Sequence, residues 1–137
     1  MPLMLGFDYG LARIGVATGQ TLTGTASPLV ALKANDGIPV WDDVERLLNE
    51  WKPDALVVGL PLHADGTESE MAIRARKFGQ RLHGRYGLPV HYIDEFESTR
   101  EARDLTGYRG KAGDQGGALD TAAACVILER FLGEHHD

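Results

Sequence analysis

Apolar positions fall into distinct patterns along the chain, and their order predicts a fold. Residues 3–8 are apolar and end in an acid, Asp8, as a buried strand does at its end. Residues 13–18 and 24–32 are β-branched or small, with glycine and threonine between them. Together these runs predict three consecutive strands in an antiparallel meander with tight turns. Pro39 then opens a helix in which Trp41, Val44, Leu47, Leu48 and Trp51 recur at helical spacing, and Pro53 stops it. Residues 55–60 form a short unbroken apolar run, the pattern of a strand covered on both faces.

A second helix is expected from about Glu68 to Tyr86, with Met71, Ala75, Phe78 and Leu82 as its apolar stripe and Gly87 at its end. Residues 88–93 read as a fifth strand. A short helix from Ser98 to about Leu105, a glycine-rich stretch over 107–117 and a last helix from Ala118 to Leu132 complete the order βββαβαβαα. A meander followed by crossover units predicts an α/β fold: a five-stranded mixed sheet, three strands antiparallel and two parallel, with helices on both faces. Neither an internal repeat nor a linker interrupts it, and 137 residues suit one domain, 1–137.

Composition changes this picture little. Hydrophobic content of 43% and charged content of 25% are ordinary for a soluble protein, and no run approaches the ~20 apolar residues of a membrane span. The N-terminus lacks the basic region and long apolar run of a secretory signal. Cys125 is the one cysteine, which excludes an intrachain disulfide and suits a reducing compartment. A cytoplasmic protein with no membrane partner is expected.

Charge is more informative. A net charge of −6 runs against a nucleic-acid binder, which is usually basic. The cations are concentrated, however. From Glu70 to Tyr86, Arg74, Arg76, Lys77, Arg81 and Arg85 stand against one acid, Glu70, and Arg74, Lys77, Arg81 and Arg85 share a stripe. Such a strip can be a solvated helix face, and it is also compatible with binding a phosphate backbone.

The acids suggest chemistry. Asp8 stands where the first strand runs out, and Asp94 and Glu95 where the fifth does. If those strands are parallel, the acids meet on the sheet edge that carries ligands in open α/β folds. Asp120 lies in the first turn of a helix continued by small residues, Thr121 to Cys125, which allow it to approach the sheet closely. Asp120 could alternatively serve as a helix-dipole charge, and Asp94 competes with Glu95. Clustered carboxylates repel one another unless a cation joins them, and carboxylate oxygens suit Mg²⁺ or Mn²⁺. A pair of such ions about 4 Å apart activates a water and stabilises the leaving oxygen in phosphodiester cleavage. In that arrangement Asp8 bridges two metal ions, while Glu95 and Asp120 each complete one shell. Gly10 is expected to leave room for a phosphate. The five histidines show no zinc spacing, Cys125 reads as packing, and Ser98 with Glu101 fits a capping box.

Five blocks carry a family resemblance. They are Phe7-Asp8-Tyr9-Gly10 with Arg13-Ile14-Gly15-Val16-Ala17; Thr23-Gly24-Thr25-Ala26; Val58-Gly59-Leu60-Pro61-Leu62 with Asp65-Gly66-Thr67-Glu68; Asp94-Glu95 with Ser98-Thr99 and Glu101-Ala102; and Asp120 with Ala122-Ala123-Ala124. In this order and at this length, the chain resembles the YqgF/RuvX family of pre-16S rRNA nucleases, once described as Holliday junction resolvase-like proteins. The resemblance implies an RNase H-like fold, which the order of elements also suggests, and a cytoplasmic, metal-dependent nuclease acting on the 5′ end of pre-16S rRNA in ribosome biogenesis. It carries catalytic and metal-binding roles onto Asp8, Glu95 and Asp120, with two ions of Mg²⁺ or Mn²⁺. The expected partner is nucleic acid, RNA ahead of DNA, within a pre-ribosomal particle, and the chain is a monomer or a homodimer. Two departures stand out. Phe96 takes the place of the family's usual arginine after the Asp-Glu pair, and Gly116-Gly117-Ala118 that of lysines common before the helical aspartate. The candidates for gripping nucleic acid are therefore Arg13, Arg74, Lys77, Arg81, Arg100, Arg103, Arg109 and Lys111. Competing readings are a four-way DNA junction resolvase, a non-catalytic binding module on the same fold, and an actin-like ATPase, whose nucleotide sits between two such domains where this chain supplies one.

Overall fold

The computed structural model describes residues 3–95 and 118–135. Its elements are β1 (Leu3–Asp8), β2 (Arg13–Gln20), β3 (Ala26–Asn35), β4 (Ile38–Pro39), α1 (Trp41–Trp51), β5 (Ala55–Pro61), α2 (Glu70–Tyr86), β6 (Val90–Glu95) and α3 (Ala118–His135). The strands make one sheet in the order β4-β3-β2-β1-β5-β6. β1, β2 and β3 pair antiparallel, β5 runs parallel to β1, and β6 parallel to β5. This is the expected meander extended by two crossovers. Asp8, Pro61 and Glu95 therefore end three strands on one edge of the sheet.

Three local differences from the sequence reading have physical causes. Pro39 does not open α1. Ile38 and Pro39 form β4, which folds back on Asn35 and Ala34 and gives the sheet six strands rather than five. Asp36 and Gly37, at φ 51° and 83°, make the two-residue turn between β3 and β4, and an Asp-Gly pair favours that left-handed geometry. α1 then starts at Trp41, after an extended Val40 that offers no side-chain cap. α2 starts at Glu70 rather than Glu68. The Ser69 hydroxyl accepts from the Ala72 amide at 3.0 Å and donates to the Pro61 carbonyl, tying the start of α2 to the end of β5. β6 reaches Glu95, so Asp94 and Glu95 lie inside the sheet register as partners of Leu60 and Pro61. The short helix expected from Ser98 to Leu105 and the glycine-rich stretch lie outside the described residues.

Alternation of side chains divides the sheet into two faces. Leu5, Phe7, Ile14, Val16, Leu56, Val58 and Leu60 pack against Val44, Leu47 and Leu48 of α1 and Phe78 and Leu82 of α2. Met4, Ala17, Val57 and Ile93 pack on the opposite face against Ile127, Leu128, Phe131 and Leu132 of α3. Cys125 is a half-buried part of that second layer, and burial together with the nearby Glu129 charge pushes its thiol up to about 11. At pH 8 the folded protein is therefore expected to react with iodoacetamide on the order of 100-fold more slowly than the urea-unfolded chain, because only the thiolate attacks. Equal rates would contradict this placement of Cys125.

Candidate active site

The face covered by α3 collects every second residue of the strands: Gly6 and Asp8 of β1, Arg13, Gly15 and Ala17 of β2, Gly59 of β5, and Ile93 and Glu95 of β6. Parity separates the two rival acids. Glu95 is 6% exposed on the α3 side, whereas Asp94 is exposed and follows the opposite parity. A Cβ added to Gly59 would stand 2.6 Å from Glu95 Oε2 and 2.6 Å from Ile127 Cδ1. The missing side chain at Gly59 thus makes the space in which the Glu95 carboxylate lies beside α3.

Asp120 reaches the same edge through a second close approach. An ideal Cβ on Gly15 would come within 2.0 Å of the Asp120 carbonyl oxygen. Gly15 is also the register partner of Asp8. The first turn of α3 accordingly rests on the β2 backbone directly beside the end of β1. Asp120 Oδ2 accepts a hydrogen bond from Arg13 Nε at 3.0 Å, with Arg13 42% and Asp120 24% exposed. The pair is partly open to water, so its worth lies more in holding Asp120 in place than in stabilising the fold.

Asp8 feels the charges of the other two acids. Burial first, then the Glu95 charge, then the Asp120 charge raise the Asp8 carboxyl well above the usual carboxylate range. The acids interact without being drawn tightly together. Among the described residues no group of three or more His, Cys, Asp or Glu side chains is gathered closely enough to hold a metal ion as it stands. Asp120 is turned toward Arg13. The donors themselves, three carboxylates at one sheet edge with a half-buried Asp8 disfavoured as an anion, fit a hard divalent cation.

Other expectations fare differently. Arg13, a candidate nucleic-acid contact in the sequence, is engaged with Asp120. At Gly10 a Cβ would stand 2.4 Å from the Arg13 carbonyl oxygen, so the turn itself calls for glycine there. The basic strip of α2 divides. Arg76 pairs with Glu68 and lies over Tyr92 at 5.1 Å, while Arg85 stacks on Trp41 at 4.0 Å. Arg74, Lys77 and Arg81 line a cavity instead. Arg100, Arg103, Arg109 and Lys111 lie outside the described residues. Gly15 and Gly59, which seat Asp120 and Glu95, were missed as parts of the site. Their signal was glycine inside a strand, which often marks close approach of another backbone. No described helix is long and apolar enough to cross a membrane.

A family model described as RuvX, Holliday junction resolvase, matches residues 2–134. The chain belongs to the RuvX family. A relative from Aeromonas salmonicida is 57% identical over 135 residues, covering 97% of this chain and 96% of that protein, and one from Azotobacter vinelandii is 54% identical over 136 residues, covering 96% and 94%. Both carry the name "Putative pre-16S rRNA nuclease". Among solved structures, Thermus thermophilus RuvC in complex with a Holliday junction substrate aligns with TM-score 0.56 at 16% identity, covering 98% of this chain and 95% of that one. Fowlpox virus resolvase with Holliday junction DNA aligns with TM-score 0.54 at 12% identity, covering 96% and 97%. Likeness at such identities is one of fold, and it agrees with the RNase H-like α/β architecture expected of the family.

Proposed function

We propose that this RuvX-family chain is a metal-dependent phosphodiester hydrolase that processes the 5′ end of pre-16S rRNA in the cytoplasm, with Asp8, Glu95 and Asp120 as its catalytic acids. The observation that carries the proposal is the convergence of these three acids on one sheet edge, where each comes from a different element and Asp8 feels the charge of the other two. The rRNA substrate is supported by the names of relatives at 50% identity and above. Asp8, Glu95 and Asp120 would hold Mg²⁺ or Mn²⁺, in one or two ions, which when bound supplies Lewis acidity and a more acidic water. The chain's own part is to fix the acids. Gly59 leaves the space beside Glu95, the close seat of α3 on Gly15 places Asp120, and Arg13 orients the Asp120 carboxylate.

A pH dependence follows with a definite sign. A cation binds the ionised form of Asp8, whose proton is held above the usual carboxylate range. Apparent Mn²⁺ affinity is therefore expected to climb with pH through that raised pKa and to level off above it. Calorimetric titrations across pH 5–8 check this, and an affinity flat over the whole range would contradict it.

Cleavage of a 5′-extended 16S rRNA precursor fragment beside a four-way DNA junction, with Mn²⁺ or EDTA, tests the substrate. The precursor should be cut only with metal. The description of the family model and the junctions bound by the two structural neighbours favour a second reading, that of a DNA junction resolvase. Such an enzyme cuts two symmetric strands and should be a stable dimer. If the junction alone is cut, that reading replaces the first. If RNA is bound and nothing is cut, the acids do not form a working site.

A further inference from the structure

Asp8 and Tyr9 are consecutive, so their side chains leave β1 and its end toward opposite faces of the sheet. On the face away from α3, Tyr9 closes one side of a cavity of about 250 Å³ between α2 and the β3–β4 turn, lined by Tyr9, Asp36, Gly37, Ile38, Arg74, Lys77 and Arg81. The volume is several times the ~30 Å³ share of one water molecule.

The cavity is assembled by particular contacts. The Tyr9 ring packs on Phe78 with centroids 5.3 Å apart, and its hydroxyl donates to the Gly37 carbonyl at 2.9 Å. A Cβ on Gly37 would stand 1.9 Å from that hydroxyl, so the Asp-Gly turn both closes the β3–β4 hairpin and admits Tyr9. Arg74, Lys77 and Arg81 are spaced three and four apart and share one face of α2. Arg74 and Arg81 lie close enough to Tyr9 for their charges to pull its pKa down against the effect of burial. The lining holds two more cations than anions. Its one acid, Asp36, is 71% exposed and meets Arg74 at 3.3 Å, an open surface pair that is cheap to exchange. Lys77 and Arg81 have no ion pair among the described residues.

We infer that this cavity is a phosphate subsite, with Arg74, Lys77 and Arg81 gripping a backbone phosphate of the nucleic-acid strand whose scissile bond lies at the acids on the other side of β1, and with Tyr9, bonded to Gly37, forming its wall. The inference rests on the nuclease reading for the identity of the strand. The chemistry suits a phosphate: guanidinium forks and an ammonium take its oxygens, and the incoming anion displaces Asp36 from Arg74. A strand passing round the sheet edge at Gly10 and Leu11 would touch both sites. That is how an acidic protein can hold a polyanion, by concentrating cations at one point beside the reaction centre.

The test is binding, without catalysis. Fluorescence anisotropy of labelled single-stranded RNA is measured with Asp8→Asn protein in EDTA over a range of salt, with inorganic phosphate as a second probe. Lys77→Ala with Arg81→Ala should weaken RNA binding by at least about 10-fold and make the slope of log K against log[salt] shallower by about one, as expected for one to two lost phosphate contacts. Lys33→Ala with Arg46→Ala removes the same charge from the β3–α1 side and should change affinity less than 2-fold. All four substituted cations are exposed, and melting curves verify that each variant is folded. Unchanged RNA affinity in the Lys77/Arg81 pair would overturn the subsite. So would equal losses in both pairs, which would mean diffuse attraction. If inorganic phosphate binds in the cavity while RNA affinity is untouched, the site takes a free phosphate and the strand assignment is wrong. Because no cleavage is read, these outcomes are separate from those for the nuclease: a chain that cuts nothing could still lose RNA affinity, and a working nuclease could show no change.

Discussion

Asp8→Asn is expected to reduce metal-dependent cleavage by about 10³-fold or more and, at the same time, to make the metal-free protein more stable. The first effect follows from removing the acid that sits between the other two, a loss of about 4 kcal/mol or more in transition-state stabilisation. The second comes from the same placement. Burial and the charges of Glu95 and Asp120 hold the folded-state pKa of Asp8 above its unfolded value. The folded state therefore binds more protons than the unfolded state between those two pKa values, and stability falls as pH rises from the unfolded pKa to the folded one. Above both, the ionised folded state carries the whole penalty. A neutral asparagine of the same shape removes it, so melting temperature in EDTA at pH 7.5 should rise by roughly 3 °C or more. Saturating Mn²⁺ should reverse the ranking, because a cation stabilises only the form that binds it. A destabilised Asp8→Asn protein in EDTA would mean that Asp8 serves the fold rather than a metal.

Gly15→Ala is expected to be among the most damaging additions of a single methyl group in the described residues. The added carbon would lie 2.0 Å from the Asp120 carbonyl oxygen, a contact with backbone that no rotamer change can relieve. α3 must lift from β2 by something like an ångström. Overpacking of this kind costs roughly 3 kcal/mol, which lowers the melting temperature by about 10 °C in a domain of this size. Asp120 moves with the helix, and a displacement of that order costs about 10²-fold in rate. Gly84→Ala is the matched control. Gly84 lies in α2 with nothing within 4 Å of its added carbon, so alanine there should stabilise the helix by about 0.5–1 kcal/mol. Circular-dichroism melts and cleavage rates of the two variants separate close approach from a general intolerance of alanine.

Much of this architecture was legible in the sequence, because hydrophobic periodicity encodes element type and order directly. The unbroken apolar run at 55–60 sits between helices on both faces, and Ala75, Phe78 and Leu82 of the expected α2 stripe are buried, with Ala72 rather than half-buried Met71 completing it. The β3–β4 hairpin was obscured by Pro39, which suits the first turn of a helix as well as an edge strand, even though Asp36-Gly37 is a strong turn signal. At the site, the acids themselves could be read from their places at element ends. The choice between Asp94 and Glu95 depended on strand parity, and residues 90–95 do not alternate cleanly enough in polarity to reveal it. The basic strip shows the limit most clearly. Its five cations look alike along the chain, and only tertiary partners distant in sequence, Trp41 for Arg85 and the Asp36-Gly37 turn for Arg74, assign each a different task.

The most direct test of the account is the rate of precursor rRNA cleavage by the wild-type, Glu95→Gln and Asp94→Asn proteins, each with Mn²⁺ and with EDTA. Wild-type and Asp94→Asn proteins should cut at similar rates with Mn²⁺ and not in EDTA, while Glu95→Gln, folded but missing an acid on the α3 face, should lose about 10²-fold or more. Cleavage that persists in EDTA, or a Glu95→Gln protein as fast as wild type while Asp94→Asn fails, would contradict it.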